Sequence, residues 1–169
     1  MSDQGKQYAA FIEAELKAEY DRRNGTNTRA AGALTGATGF VTLVLAVYAV
    51  LLHKDFTLSG AAKCWLISAL MALLGAGILA VAAGLPWRYK ATAPATLRYF
   101  LRESWEDSEV TARGRTAYCN MVVLHSLRLG NQIKTAFLIG AAVAQVVAIF
   151  SLALSVLALL GAETDAPAK

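Results

Sequence analysis

Apolar and polar residues occur in long separate blocks along this chain. The longest apolar block, from Thr135 to Ala162, has 28 residues and no charged side chain. As a helix it would measure about 42 Å at 1.5 Å per residue, whereas the hydrocarbon core of a bilayer is about 30 Å thick. Two more such blocks lie upstream, at 30–52 and 63–85. Because a helix satisfies its own backbone hydrogen bonds in lipid, the pattern predicts three transmembrane helices, the last at 135–161.

The first polar block, residues 1–29, has the spacing of an amphipathic helix. Tyr8, Ile12 and Leu16 recur every four residues, and charged side chains fill the other faces. Two placements fit this pattern: the helix packs on another part of the same protein, or it lies on the lipid surface. Its polar face carries as much acid as base, which favours packing within the protein. The Asn24-Gly25 pair lowers helix propensity and is a candidate hinge before the first span.

The second polar block, residues 86–134, predicts two helical segments. Pro94 suits the first turn of a short helix, on which Leu97, Phe100 and Leu101 form an apolar side with Arg98 and Arg102 opposite. After an acidic cluster, the helical pattern continues without proline from Ser108 to Leu160. We therefore expect one long last helix that is polar in its first half and apolar in its second half.

The distribution of charge predicts how these segments are oriented. Of the 16 Lys and Arg residues, 13 lie within 1–29 and 86–134, and basic segments stay on the cytoplasmic side of a bacterial inner membrane. The N-terminus is then cytoplasmic, and the loop 53–62 and the tail 162–169 are external. Charged residues make up 17 % of the chain, well below the ~25 % of a soluble domain. The expected fold class is an all-α membrane protein with three transmembrane helices, an N-terminal amphipathic helix and a long last helix that extends into the cytoplasm.

No motif in the chain has the spacing of a catalytic or metal-binding site. Cys64 and Cys119 fall on opposite sides of the membrane in this topology, so they cannot pair within one chain. His53 and His125 are separated in the same way. No charged side chain lies well inside a span, where the functional groups of pumps and transporters sit. We therefore expect no enzyme, no metal and no cofactor, and the net charge of +4 indicates orientation rather than a nucleic-acid partner.

Small residues recur at helical spacing in all three spans and allow helix backbones to approach closely in lipid. The longest stripes place a small residue at every fourth position, from Ala72 to Gly84 and from Ala136 to Ala148. The predicted packing positions are Gly32, Gly36, Ala76, Ala80, Gly140 and Ala144, with the amide of Gln145 beside the last stripe. Packing within one chain and self-association into a homo-oligomer both fit these stripes.

The two cytoplasmic junctions with the membrane resemble each other, because each has an amide followed within three positions by a base. Guanidinium groups bind phosphate through paired hydrogen bonds, so these junctions form a candidate anion site. The predicted ligand-binding residues are Arg23, Asn27, Arg29, Arg128, Asn131 and Lys134. The alternative is that the positive-inside rule alone explains the bases, which would then contact lipid head groups.

The motif Asn27-Thr28-Arg29-Ala30 precedes a helical hairpin, and a Tyr-containing helix enters the last span between Tyr118 and Lys134. This layout resembles the small transmembrane effectors of Pycsar anti-phage systems, which usually have Lys where Arg29 stands. The resemblance implies an effector in the lipid bilayer that impairs membrane integrity. It also implies a trigger, a cyclic pyrimidine mononucleotide made by a partner cyclase.

The alternative function is a non-enzymatic structural or scaffold membrane protein, for example one acting in plasmid transfer or envelope organisation. Such a protein would need the small-residue stripes for assembly and would need no ligand.

Overall fold

The protein consists of α-helices joined by short connections in the part of the chain that the structure describes. The computed structural model describes residues 4–52 and 60–164. The helices are α1 at Gln4–Leu52, α2 at Gly60–Gly84, α3 at Pro94–Arg102 and α4 at Glu109–Thr164. The all-α prediction, the short helix at Pro94 and the single long last helix are confirmed. His53, with most of the predicted loop 53–62, and the last residues of the predicted tail 162–169 lie outside the described residues.

Three of these helices, α1, α2 and α4, are long and apolar enough to cross a membrane. This confirms the sequence-based prediction of three candidate spans. The Asn24-Gly25 pair, a candidate hinge in the sequence, lies within the uninterrupted α1. The neighbouring Thr26 is 7 % exposed, and its hydroxyl donates to the backbone carbonyl of Arg22 at 2.9 Å. Packing at this point therefore outweighs the low helix propensity of the pair.

The contacts between helices divide the chain into two units. The polar unit combines Met1–Thr26 with Pro86–Lys134, and the apolar unit combines Asn27–Leu85 with Thr135–Lys169. Helices α1 and α4 contribute to both units, whereas α2 belongs to the apolar unit and α3 to the polar unit.

The apolar unit is built around a seam of small side chains. The buried residues of α2 are Ala62, Ala69, Leu73, Ala76, Ala80 and Ala83. Their spacing of three, four or seven residues is the heptad spacing of closely packed helices. The predicted stripe with a small residue at every fourth position differs from this seam, because positions four apart drift by about 40° around a helix at each step. For this reason Ala72 is only half-buried, and Gly84 is exposed.

Large apolar side chains of the apolar unit lie on its outer surface. Met71, Ile78 and Phe150 are 63 %, 62 % and 69 % exposed. Lipid tails solvate such side chains as well as a protein interior does, so spanning helices have no reason to bury them. Small residues inside and large residues outside are therefore what a membrane-spanning bundle requires.

Two hydrogen-bonded links join the helices of the apolar unit. The Tyr48 hydroxyl donates to Ser155 Oγ at 2.8 Å, and the Ser155 hydroxyl donates in turn to the backbone carbonyl of Ala62 at 2.9 Å. Separately, Gln145 Nε2 donates to the backbone carbonyl of Ala33 at 2.8 Å. These polar groups therefore find partners inside the protein, as groups at membrane depth must.

The seam predicts that enlarging a buried alanine destabilises the apolar unit. Ala76 is 0 % exposed, so the side chain introduced by Ala76→Leu must force α2 away from its neighbours. Overpacking of this kind costs about 1–3 kcal/mol, and thermal unfolding in detergent would measure it. Ala142→Leu, which adds the same atoms at an exposed position of α4, is the matched control. Equal stability of the two variants would contradict the seam.

Candidate ligand site in the polar unit

Glu19 of α1 lies at the centre of the polar contacts in the polar unit. Its carboxylate is 3.4 Å from Nε of Arg128, which also pairs with Glu15. Asn131 Nδ2 donates to the Glu19 carboxylate at 2.8 Å and to the Glu19 backbone carbonyl at 3.0 Å. Glu19 is 8 % exposed and Asn131 is 1 % exposed, so these bonds form with little competition from water. They join α1 to α4 between positions 112 residues apart in the chain.

A second cluster, the basic pocket, is lined by Arg23, Trp87, Arg88, Tyr89, Ser126, Leu127, Gly130, Asn131 and Lys134. The Arg23 guanidinium lies over the Tyr89 ring, 4.6 Å from the ring centroid, in cation–π geometry. The backbone N–H of Lys90 donates to Ser126 Oγ at 2.8 Å, which holds the segment after α2 against α4. The pocket has a volume of about 10 Å³, roughly the space that one water needs, and is therefore too small for a nucleotide.

The basic pocket contains three cations, Arg23, Arg88 and Lys134, of which Arg88 is exposed. Lys134 directly precedes the apolar block of α4 and is 2 % exposed. Burial lowers the pKa of Lys134 from its ordinary value, and the positive charge of Arg23 lowers it further. The two cations therefore repel each other, and an anion between them would relieve that repulsion. Ser126 adds a hydroxyl group that can donate to a phosphate oxygen, whereas both Nδ2 hydrogens of Asn131 are already donated to Glu19.

The structure divides the predicted ligand-binding residues into three groups. Arg23, Asn131 and Lys134 line the basic pocket. Arg128 is paired with the carboxylates of Glu15 and Glu19. Asn27 and Arg29 belong to the apolar unit, in which Asn27 is half-buried and Arg29 is exposed.

Most of the predicted packing residues lie against other helices of the apolar unit. The buried or half-buried ones are Ala76, Ala80, Gly140, Ala144 and Gln145. A Cβ on Gly140 would lie 3.3 Å from Cδ1 of Leu79, so the glycine allows a close contact there. Gly36 is exposed, and the nearest atom to its position is the Gln145 amide nitrogen, at 3.8 Å from a Cβ placed there. Gly32 is also exposed and has open space around it.

A larger cavity, of about 550 Å³, lies between α3 and α4. Tyr99 and Tyr118 line it together with Arg115. The Arg115 guanidinium is 2.7 Å from the Asp107 carboxylate and lies over Tyr99, 5.9 Å from the ring centroid. The volume falls within the range of small-molecule sites, but its one arginine is already neutralised. This cavity therefore favours an apolar occupant over an anion.

The sequence did not single out Glu19, Tyr89 or Ser155. Ser155 carried a usable signal, since an uncharged polar side chain inside an apolar block needs a partner, as Gln145 does. Glu19 carried none, because it is one of several acids on α1 and its partners lie more than a hundred positions away. From the sequence, Tyr89 is simply one aromatic residue near the end of a predicted span.

Comparison with known proteins gives no match for this chain: no family model, no curated protein and no solved structure is similar to it. Among the described residues, no group of three His, Cys, Asp or Glu side chains could hold a metal ion. Cys64 and Cys119 are free thiols. A functional conclusion therefore depends on the geometry of the units themselves.

The contacts of Glu19 predict that this carboxylate stabilises the polar unit. Glu19→Ala should lower the free energy of unfolding by about 1–3 kcal/mol, because a buried amide and an arginine lose their acceptor. Glu19→Gln should cost less, since its side-chain oxygen can still accept from Asn131. Glu13→Ala, an exposed acid on the same helix, is the matched control. Thermal unfolding in detergent measures all three, and a cost for Glu13→Ala equal to that for Glu19→Ala would contradict the prediction.

Proposed function

We propose that the protein is a membrane-embedded effector of a bacterial anti-phage system, triggered by an anionic ligand that binds the polar unit. The ligand class is a cyclic pyrimidine mononucleotide supplied by a partner cyclase, and the response is impaired membrane integrity. The observation that carries the proposal is the pair of mutually repelling cations, Arg23 and Lys134, in one small pocket. The layout-level resemblance to Pycsar effectors supports the same proposal.

The chemistry of the basic pocket suits a nucleotide. A phosphate would accept hydrogen bonds from the Arg23 guanidinium and neutralise its repulsion with Lys134. Tyr89, over which Arg23 now lies, would then be available to stack on a pyrimidine ring. Because the pocket is too small for a nucleotide, the ligand binds only if the polar unit rearranges. A rearranged state that binds the ligand more tightly than this state does provides the differential affinity that a trigger requires.

The charge distribution supports an orientation for this effector. The polar unit, which includes the N-terminal segment that is amphipathic by sequence, would face the cytoplasm of a bacterium, where the ligand is made. The three candidate spans would lie in the inner membrane, with the C-terminus outside. No catalytic residue is invoked, since membrane disruption requires only assembly or rearrangement of the spans.

A second face of α1 supports assembly into a homo-oligomer. Gly32, Thr35, Gly39 and Thr42 are exposed and follow each other at spacings of three and four residues. A Cβ added to Gly32 or Gly39 would meet no atom within 4 Å. The hydroxyls of Thr35 and Thr42 donate to carbonyls of their own helix at 3.1 and 3.0 Å, so the face presents no unsatisfied polar group to lipid. We define this set as the outer small-residue face and assign it to contact with a second copy of the chain.

The trigger is tested by calorimetric titration of the purified full chain in detergent with cCMP and cUMP. Lys134→Met removes the charge and keeps the side-chain length. Arg23→Gln removes the guanidinium. Each variant should raise the Kd at least about tenfold, because a charge-assisted hydrogen bond contributes roughly 1.5–3 kcal/mol. Lys17→Gln removes one positive charge from an exposed position of α1 and should leave the Kd unchanged.

Two results of this titration would contradict the proposal. One is the absence of binding at millimolar ligand, and the other is an unchanged Kd in both pocket variants. Either result would favour the alternative function, a structural or scaffold membrane protein. That alternative has its own support, since Arg128 and Asn131, two predicted ligand residues, are engaged by Glu19 within the chain.

Substitutions in the outer small-residue face should change the assembly of the protein without changing the stability of the single chain. Gly39→Leu should reduce the oligomer size measured by light scattering in detergent, because the leucine keeps a second helix away. It should leave the stability of the single chain unchanged, since the space around Gly39 is open. Gly140→Leu is the complementary variant and should lower stability through its clash with Leu79. An unchanged oligomer size for Gly39→Leu and Gly32→Leu would remove this face from the assembly.

A further inference from the structure

Helix α3 packs on α4 with one side and leaves a different side uncovered in the part of the chain that the structure describes. Thr96, Tyr99 and Phe100 line the cavity between the two helices. Leu97 and Leu101 lie one turn apart on a different side and are 51 % and 64 % exposed. No residue of α3 is buried. The helix therefore has an apolar side that neither α4 nor any other described element covers.

Trp105 follows just beyond the end of α3, where it lines a small pocket with Phe100 and Ala112. It is 77 % exposed, more than any other large hydrophobic residue among those described. Tryptophan is enriched where membrane and water meet, because its ring is apolar and its indole N–H is polar. Its high exposure fits a membrane interface better than bulk water.

Basic residues flank the apolar side of α3. Arg98 and Arg102 lie one turn apart, about 100° around the helix from Leu97 and Leu101. Both arginines are exposed, and neither forms an ion pair within residues 4–52 and 60–164. The helix itself contains no acid. Arginines beside an apolar face can extend their side chains to lipid phosphates while the face enters the bilayer.

The chain keeps α3 near the end of a candidate span. Helix α2 ends at Gly84 and α3 begins at Pro94, so nine residues separate them. A segment of that length reaches at most about 30 Å when fully extended. It contains Trp87 and Arg88, residue types that also favour the membrane interface.

We propose that α3 is an interfacial membrane helix that lies in the plane of the bilayer surface. Leu97, Leu101 and Trp105 enter the boundary between head groups and acyl chains. Arg98 and Arg102 contact lipid phosphates. This function is separate from the ligand trigger and stands or fails independently of it.

The acids that follow α3 determine how this contact depends on lipid charge. Glu103 and Glu106 are exposed and lie on either side of Trp105. They offset the two arginines only in part, so insertion into zwitterionic vesicles depends on the apolar side chains and the arginines add a smaller attraction to anionic phospholipid. We therefore expect the helix to insert into zwitterionic vesicles and more deeply into vesicles that contain anionic phospholipid.

Spin labelling of the full chain in phospholipid vesicles tests the proposal. The label is attached to Leu101→Cys in a background that carries Cys64→Ser and Cys119→Ser. Its collision rate is measured with oxygen, which concentrates in lipid, and with a water-soluble nickel chelate. Lys17→Cys, at an exposed charged position of α1, serves as the water reference. Phe150→Cys, 69 % exposed in the apolar unit, serves as the lipid reference.

The three possible outcomes are distinct. Oxygen access above nickel access at Leu101→Cys, between the two references, supports the interfacial helix. Nickel access as high as at Lys17→Cys overturns it, because the side would then face water. Low access to both reagents also overturns it, because the side would then be covered by protein, such as a second copy.

Variants of α3 separate the apolar and the electrostatic parts of the contact. Leu97→Gln with Trp105→Gln should shift the label at position 101 to the water reference in both kinds of vesicle. Arg98→Gln with Arg102→Gln should abolish the deeper insertion in anionic vesicles and leave insertion in zwitterionic vesicles in place. Unchanged oxygen access in the Leu97→Gln, Trp105→Gln variant would contradict insertion through this face.

Discussion

Close approach of helix backbones in the apolar unit is the constraint on which the rest of the structure depends. Lipid solvates large apolar side chains well, so only van der Waals contact and hydrogen bonds between helices hold such a unit together. Gly36 illustrates the requirement, since a side chain longer than that of alanine would meet the Gln145 amide on its way to the Ala33 carbonyl. Ser155 similarly reaches the α2 backbone at Ala62, whose small side chain is fully buried. Small residues therefore determine which polar groups can meet.

The polar unit is held together by different physical interactions. Its helices meet through the buried carboxylate of Glu19, which satisfies an arginine and an amide of α4 at once. That arrangement decides the chemistry left for a ligand. Arg128 is neutralised by two acids, whereas Arg23 lies on an aromatic ring and remains close enough to Lys134 to lower its pKa. An anion entering this unit would be attracted most strongly by Arg23 and Lys134. Among the predicted ligand residues, binding should therefore depend most on these two.

The sequence predicts the elements of this protein better than their partners. Apolar length, Pro94 and the absence of proline from Ser108 to Leu160 were enough to locate the candidate spans, α3 and α4, because each depends on local propensity. The register of the seam was not predictable, since a stripe at every fourth position and a heptad share Ala76 and Ala80 and differ only in the small residues on either side. The contact between Glu19 and Asn131 could not be predicted from the sequence either. Helix α1 carries several acids, and which of them meets Asn131 depends on how α1 and α4 pack within the polar unit.

The same distinction applies to the positive charges. Counted along the chain, the bases of 1–29 and 86–134 are equivalent, and their sum predicts only an orientation. Their surroundings make them three physically different groups. Arg128 and Arg115 stabilise the fold through carboxylates and contribute little field to the outside. Arg23 lies with Lys134 in a small pocket, where an anion would relieve their repulsion. The exposed arginines of α3 stand beside apolar side chains and favour a surface that offers phosphate and hydrocarbon together. The charge that predicts orientation thus includes residues suited to folding, to ligand binding and to lipid contact.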